Sequence, residues 1–203
     1  TSCTTIYFGS QNDLLVLATD TASNTEEDRI VSVSLEDGLV TELIDLADLF
    51  EEYFHSIDYE EDELDWMHIN TIQWMGNGSV LLSSRETSSI IRFDDIYGTP
   101  TVGYMIAEKS FWAGTQYESL VFAKDGEFTI HGGQHSVSYV EDDSLPEGQY
   151  YLYMFNNNIG ISETKPDFDW AAVGLAQNSG QGGGFFLITI SIWWTRTQEP
   201  LNL

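Results

Sequence analysis

The sequence predicts an all-β fold, a partial β-propeller of about three four-stranded blades. Two observations carry this. Short runs rich in β-branched and aromatic residues recur between turn residues along most of the 203-residue chain. These runs fall into sets of four, each near the roughly 40–50 residues of a four-stranded blade.

The first set is Thr5 to Gly9, Leu14 to Thr19, Arg29 to Leu35 and Leu39 to Leu43. Asn12-Asp13, Ser23-Asn24 and Asp37-Gly38 punctuate it, and Asp-Gly is a tight-turn signal. The second set is Ile69 to Met75, Ser79 to Ser84, Ser89 to Phe93 and Thr101 to Ile106. Its first turn is Gly76-Asn77-Gly78 and its last is Tyr97-Gly98-Thr99-Pro100. A third set begins with Ser136 to Val140 and Tyr150 to Asn156. The blades are therefore expected near 1–50, 66–107 and 133–178, within a unit spanning 1–178. Overlaying the second and third sets places His68 and His135 each just before a first strand. The first strand of a propeller blade is innermost, so both histidines are expected to face a central channel.

Three stretches break the pattern. Residues 51–65 carry eight acidic residues interleaved with Tyr53, Phe54, Ile57 and Tyr59, which reads as a solvated acidic insertion. Asp45 to Phe54 is expected to form a short helix, and no Asp-x-Asp-x-Asp-Gly calcium loop is present. Lys109 to Phe128 reads as a long connection. Residues 179–203 form an aberrant tail: beyond Gln181-Gly182-Gly183-Gly184 the chain has no acidic residue except Glu199. Residues 188–203 can be back-translated into codons that, in another frame, encode an ordinary acidic strand-turn-strand. A frame switch between about Ser179 and Ile188 is the expectation.

Composition bounds the function. Hydrophobic residues make up 42% and aromatics 13%, enough for a sizeable core, so extended disorder is not expected. A formal charge of -26 disfavours nucleic acid and anionic membrane surfaces, which need a basic face. The single Cys3 excludes an internal disulfide and a cysteine-based zinc site. No apolar run approaches the ~20 residues of a membrane span. Thr1 to Thr5 lacks an initiator Met and a basic leader, so the N-terminus reads as a cut inside a longer protein.

The densest polar-aromatic cluster is Asp65-Trp66-Met67-His68-Ile69-Asn70. Histidine is acid, base, nucleophile or cation near neutral pH, and a nearby carboxylate would fix its tautomer. Spacing alone leaves open whether Asp65 does so, and equally whether His68 merely caps a strand. Arg85 ends the second strand of the same set and is a candidate anion binder through its planar fork, against the alternative of a salt bridge between blades. Arg92 reads as structural. Gly132-Gly133-Gln134-His135 puts His135 after a flexible turn, while His131 reads as an exposed loop residue and His55 as part of the acidic insertion. Asn156-Asn157-Asn158 offers amide donors or simply a turn. Asp167-Phe168-Asp169-Trp170 reads as a loop, calcium-like or merely acidic. There is no Gly-x-Ser-x-Gly, no phosphate-binding loop, no dinucleotide fingerprint and no His-Glu-x-x-His.

Taken in order, Asp65 to Asn70, Val80 to Arg85, Gly133 to Val137 and Tyr153 to Asn157 resemble the arylsulfate sulfotransferase family. These are bacterial enzymes that do not use the nucleotide sulfate donor. The resemblance runs from about Ile6 to Asn178, as an internal fragment. Where the family has Asp-Asn-Gly, this chain has Asn156-Asn157-Asn158. The resemblance implies a six-bladed propeller with an N-terminal β-domain, of which about half is present. It implies transfer of a sulfuryl group from an aryl sulfate donor to a phenol acceptor through a sulfohistidine, without cofactor or metal. It assigns His68 and His135 as catalytic groups, for sulfuryl-oxygen binding and proton transfer, with Asn70, Arg85 and Asn157 binding substrate. The covalent histidine is expected in a later blade, and the family's Arg after Asp-Asn-Gly has no match, since only Lys165 follows among the basic residues that precede the tail. This piece is therefore expected to be inactive by itself. The longer protein is expected outside the cytoplasm, periplasmic or secreted, with a homodimer left open. Two competing readings are a non-enzymatic propeller binding module and a propeller glycoside hydrolase. The latter would need carboxylates where the inner strands begin, and those positions hold histidine.

Overall fold

A computed structural model of the chain describes residues 6–9, 11–19, 25–26, 29–58, 64–175 and 183–191. It is mostly β, with three antiparallel sheets that do not close into a barrel. The first sheet runs β1 (Ile6–Phe8), β2 (Asp13–Ala18), β3 (Arg29–Ser34) and β4 (Val40–Asp45), paired in chain order. The second runs β5 (Ile69–Gly76), β6 (Ser79–Ser84), β7 (Ser89–Asp94) and β8 (Thr101–Ile106), again in order. The third has β9 (His135–Val140) beside β10 (Gln149–Asn156), with β11 (Gly184–Ser191) on the far side of β10. β5 lies beside β1 on one flank and β9 on the other, so the first strands of the three sheets are neighbours.

Turn chemistry sets these hairpins. Asn77 and Gly78 both take positive φ, 52° and 75°, between β5 and β6. Asparagine and glycine tolerate that region best. β6 is buried along its whole length, as a strand sandwiched by neighbouring elements must be. β10 alternates instead: Tyr150, Leu152, Met154 and Asn156 point inward, while Tyr153 and Phe155 are more than a third exposed.

Between the first two sheets the acidic stretch begins with two short helices, α1 (Leu46–Leu49) and α2 (Glu51–Ser56). Asp45 caps α1 by accepting from the Ala47 amide at 2.9 Å. Among its described residues, Glu51 and Glu52 face solvent, while Tyr53 is buried, as is Phe50, and Phe54 and Ile57 pack partly buried against the core. Tyr53 lies 5.0 Å from Trp112 and Phe50 lies 4.8 Å from Tyr117, centroid to centroid. Residues 59–63 lie outside the described residues.

The stretch from Lys109 to Phe128 holds two 3₁₀ turns, Lys109–Trp112 and Glu118–Leu120. It is anchored by buried Phe111, Trp112, Tyr117 and Val121. The Trp112 indole donates to Ser89 Oγ at 3.1 Å. Buried Glu86 accepts from the Thr164 amide at 2.9 Å and from the Glu163 amide, tying the 162–165 loop to the second sheet. Asp167–Trp170 is also loop: Asp167 and Asp169 are exposed, while Trp170 is buried and stacks on Phe111 at 5.3 Å. Asp169 accepts from the Ala172 amide. Among the described residues no group of three or more His, Cys, Asp or Glu is arranged to hold a metal. Of the tail, Gly184–Ser191 forms β11 in register with β10, and the remaining stretches of 179–203 lie largely outside the described residues.

Candidate active site

Antiparallel order puts the start of β5, the end of β6, the start of β9 and the end of β10 at one end of the sheets. The residues singled out from sequence sit there. Trp66 and Met67 are fully buried and hold the Asp65–Asn70 segment against the core. Trp66 packs 5.0 Å from Phe54. The main chain of Met67 and His68 is pinned by the next strand: Ser84 Oγ donates to the Met67 carbonyl at 2.6 Å and the Arg85 amide to the His68 carbonyl at 3.1 Å. With both flanks fixed, His68 is held at φ 46°, a left-handed conformation uncommon outside glycine.

Three groups converge on the two imidazoles. His68 and His135 lie 6.2 Å apart, edge to face. The His68 Nδ1 is paired with the Asp65 carboxylate, so Asp65 does serve His68. Arg85 Nη1 comes within 3.4 Å of the same nitrogen. No carboxylate among the described residues pairs with Arg85, so the salt-bridge alternative does not hold for them. Arg92, by contrast, is bound to Asp94 at 2.8 Å and lies over the Tyr104 ring.

His135 is held by an amide and a carbonyl: its Nδ1 lies 3.1 Å from the Gly133 carbonyl oxygen. Asn157 Nδ2 lies 2.9 Å from His135 Nδ1 and donates to the Gly133 carbonyl at 2.6 Å. Burial lowers the His135 pKa, and the nearby His68 and Arg85 push it the same way, against the Gly133 carbonyl. Asn70 Nδ2 donates to the Gln134 carbonyl at 2.9 Å, which links β5 to β9. Both asparagines thus have an amide donor committed within the protein, so geometry gives them a positioning part in the cluster.

Sequence reasoning missed Gln134. It is fully buried, and its amide nitrogen lies within 3.1 Å of Ser83 Oγ and Ser89 O and 2.9 Å of Ser84 O. The Gly133 amide adds a bond to Ser88 Oγ at 3.0 Å. The start of β9 is therefore stitched to the β6–β7 turn, and with it the spacing between the histidines. A glutamine beside two glycines carries no sequence signal for this.

His131 is corrected. It is not an exposed loop residue but 1% exposed, with no partner for its Nε2. Burial lowers its pKa to about 4, opposed only by backbone carbonyls of Ser88 and Ile106. His55 is exposed on α2. Lys165 is committed to the Phe111 carbonyl and ring. At the Asn-rich turn, Asn156 Oδ1 accepts from the Gly132 and Asn158 amides at 2.9 Å each. Asn158 takes φ 53°, a position where asparagine can stand for glycine.

An all-β scaffold presenting two histidines and an arginine at neighbouring strand ends defines a candidate anion-binding, group-transfer site. The family model for arylsulfotransferase (ASST) matches residues 5–180. The chain belongs to the arylsulfotransferase family. No curated protein sequence matches it. Family membership supports an aryl sulfotransferase type of function, acting on aryl sulfates and phenols.

Proposed function

We propose that this cluster serves transfer of a sulfuryl group from an aryl sulfate ester to a phenol through a sulfohistidine intermediate. The observation that carries the reading is the convergence of His68, His135 and Arg85 at one end of the sheets. A sulfuryl group in transfer, like a phosphoryl group, spreads charge over its equatorial oxygens, so positioned cationic and N–H donors are what it needs. Arg85 supplies a planar fork for two such oxygens. Imidazole is a fitting carrier because it is both nucleophile and leaving group.

In the same reading the three sheets are blades of a six-bladed propeller, with β1, β5 and β9 lining the channel. Their neighbouring positions support this. Further blades complete the site, and the 203-residue chain alone is inactive.

The test is release of nitrophenol from 4-nitrophenyl sulfate, with and without a phenol acceptor, by the longer protein carrying these residues. Acceptor-dependent release that falls at least about 100-fold in His68→Ala and His135→Ala is expected. No release from the folded protein overturns the proposal and favours a binding module.

A further inference from the structure

We propose that Glu86 is a positioning residue for the site: its buried carboxylate holds the turn that carries Arg85 and, through that turn, the main chain of His68. The chemical consequence rests on the sulfuryl-transfer reading, whereas the alignment itself follows from the hydrogen bonds.

Glu86 is 6% exposed and follows Arg85 in the turn between β6 and β7. The two side chains reach different places. Arg85 Nη1 comes within 3.4 Å of His68 Nδ1, while Glu86 reaches the 162–165 loop. Their main chains act together. The Arg85 amide donates to the His68 carbonyl at 3.1 Å and the Glu86 amide to the Met67 carbonyl at 3.4 Å. The turn and the 67–68 segment therefore move as one body, and whatever holds Glu86 also holds the Arg85–His68 pair.

One oxygen does the holding. Glu86 Oε1 accepts from the Glu163 amide, from the Thr164 amide at 2.9 Å and from the Thr164 hydroxyl at 3.3 Å. A carboxylate only accepts, so the Thr164 hydroxyl donates to it. Tyr53 on α2 then donates its own hydroxyl to Thr164 Oγ1, 2.6 Å away. So α2, the 162–165 loop and the β6–β7 turn are joined through one carboxylate.

Burying a carboxylate costs stability, and among the described residues no cation pairs with Glu86. Burial raises its pKa, and the Thr164 amide, the Ser162 hydroxyl and the Glu163 amide hold it down. An apolar side chain would fill the same space without that cost. It would not bind two main-chain amides and so fix where the turn stands. Group transfer depends on such placement, since a displacement of about 1 Å is enough to lose about 100-fold in rate.

The experiment compares Glu86→Ala with Glu86→Gln. Both remove the charge, but glutamine keeps an oxygen that accepts from the two amides. The first readout is a ¹H–¹⁵N spectrum of the protein labelled with ¹⁵N-arginine and ¹⁵N-histidine, with Arg85→Lys and His68→Ala assigning the signals. The Arg85 Nε–H and His68 ring signals should move in Glu86→Ala and keep their native positions in Glu86→Gln. The second readout is KM for 4-nitrophenyl sulfate in the longer protein. It should rise about tenfold in Glu86→Ala and stay within about threefold of native in Glu86→Gln. If Glu86→Ala does not fold, Thr164→Val, which removes one of the three donors, is read in its place and should move the same two signals. A folded variant with a lower melting temperature but both signals unmoved, or Glu86→Gln moving them as far as Glu86→Ala, overturns the proposal. The spectra need no turnover. A protein that transfers no sulfuryl group therefore refutes the transfer reading, and the spectra still decide the part played by Glu86.

Discussion

His131 should make this protein acid-sensitive in a way its carboxylates do not. Its ring is fully buried, Nε2 has no partner, and burial lowers its pKa from 6.5 to about 4. The unfolded chain takes up the proton near 6.5, and the folded chain waits until about 4. Between those values the unfolded state binds more protons, so stability is complete above pH 6.5 and falls as the pH drops, levelling off below about 4. Each pH unit in that window costs about 1.4 kcal/mol, or about 3 kcal/mol over the whole. The assay is urea unfolding followed by tryptophan fluorescence at pH 7.5 and 4.5, on the native protein and His131→Gln. All other titrating groups are common to the two proteins and cancel in the difference. The native protein should lose about 2–3 kcal/mol more than the variant between the two pH values. An equal loss would refute the reasoning, because His131 would then be titrating as an exposed imidazole.

Three further outcomes are expected. Arg85→Lys keeps the charge but loses the planar fork, so KM for the aryl sulfate should rise about tenfold in steady-state kinetics while the melting temperature holds. Gln134→Met strands the acceptors at Ser83, Ser84 and Ser89, and chemical denaturation should show a loss of about 2–4 kcal/mol. Gly132→Ala would place a Cβ 2.6 Å from the Ile159 carbonyl and 2.8 Å from the Leu175 side chain. Overpacking of that kind should cost about 1–3 kcal/mol, read as a lower melting temperature.

The strands were legible because turn residues mark both ends of each run. Predicted Ser79 to Ser84 and Thr101 to Ile106 match β6 and β8. The one short helix expected over Asp45 to Phe54 appears as two, α1 and α2. Burial was harder to read. His131 precedes two glycines, which looks like an exposed turn, yet Leu175 and Ile159 close over that segment from far along the chain. Tyr53 sits in an acidic run, but its ring packs against Trp112 from a separate loop. At the site, His68 and Arg85 could be picked out by type and position on strands. The hydrogen-bond partners of Asn70 and Asn157 could not, since the carbonyls they meet belong to a glycine and a glutamine that any turn might contain.

The opposite end of the sheets carries a different surface. There the 76–78 turn and the 141–148 turn border an open cleft of about 630 Å³, lined by Asn77, Arg92, Tyr139, Glu141 and Tyr150. The length of β9 and β10 separates it from the histidines, and neither imidazole lines it. The two ends of the sheets thus present separate surfaces. A fluorophore, affinity tag or surface tether placed between Asp143 and Glu147 gives a handle for immobilisation that leaves the imidazole pair untouched.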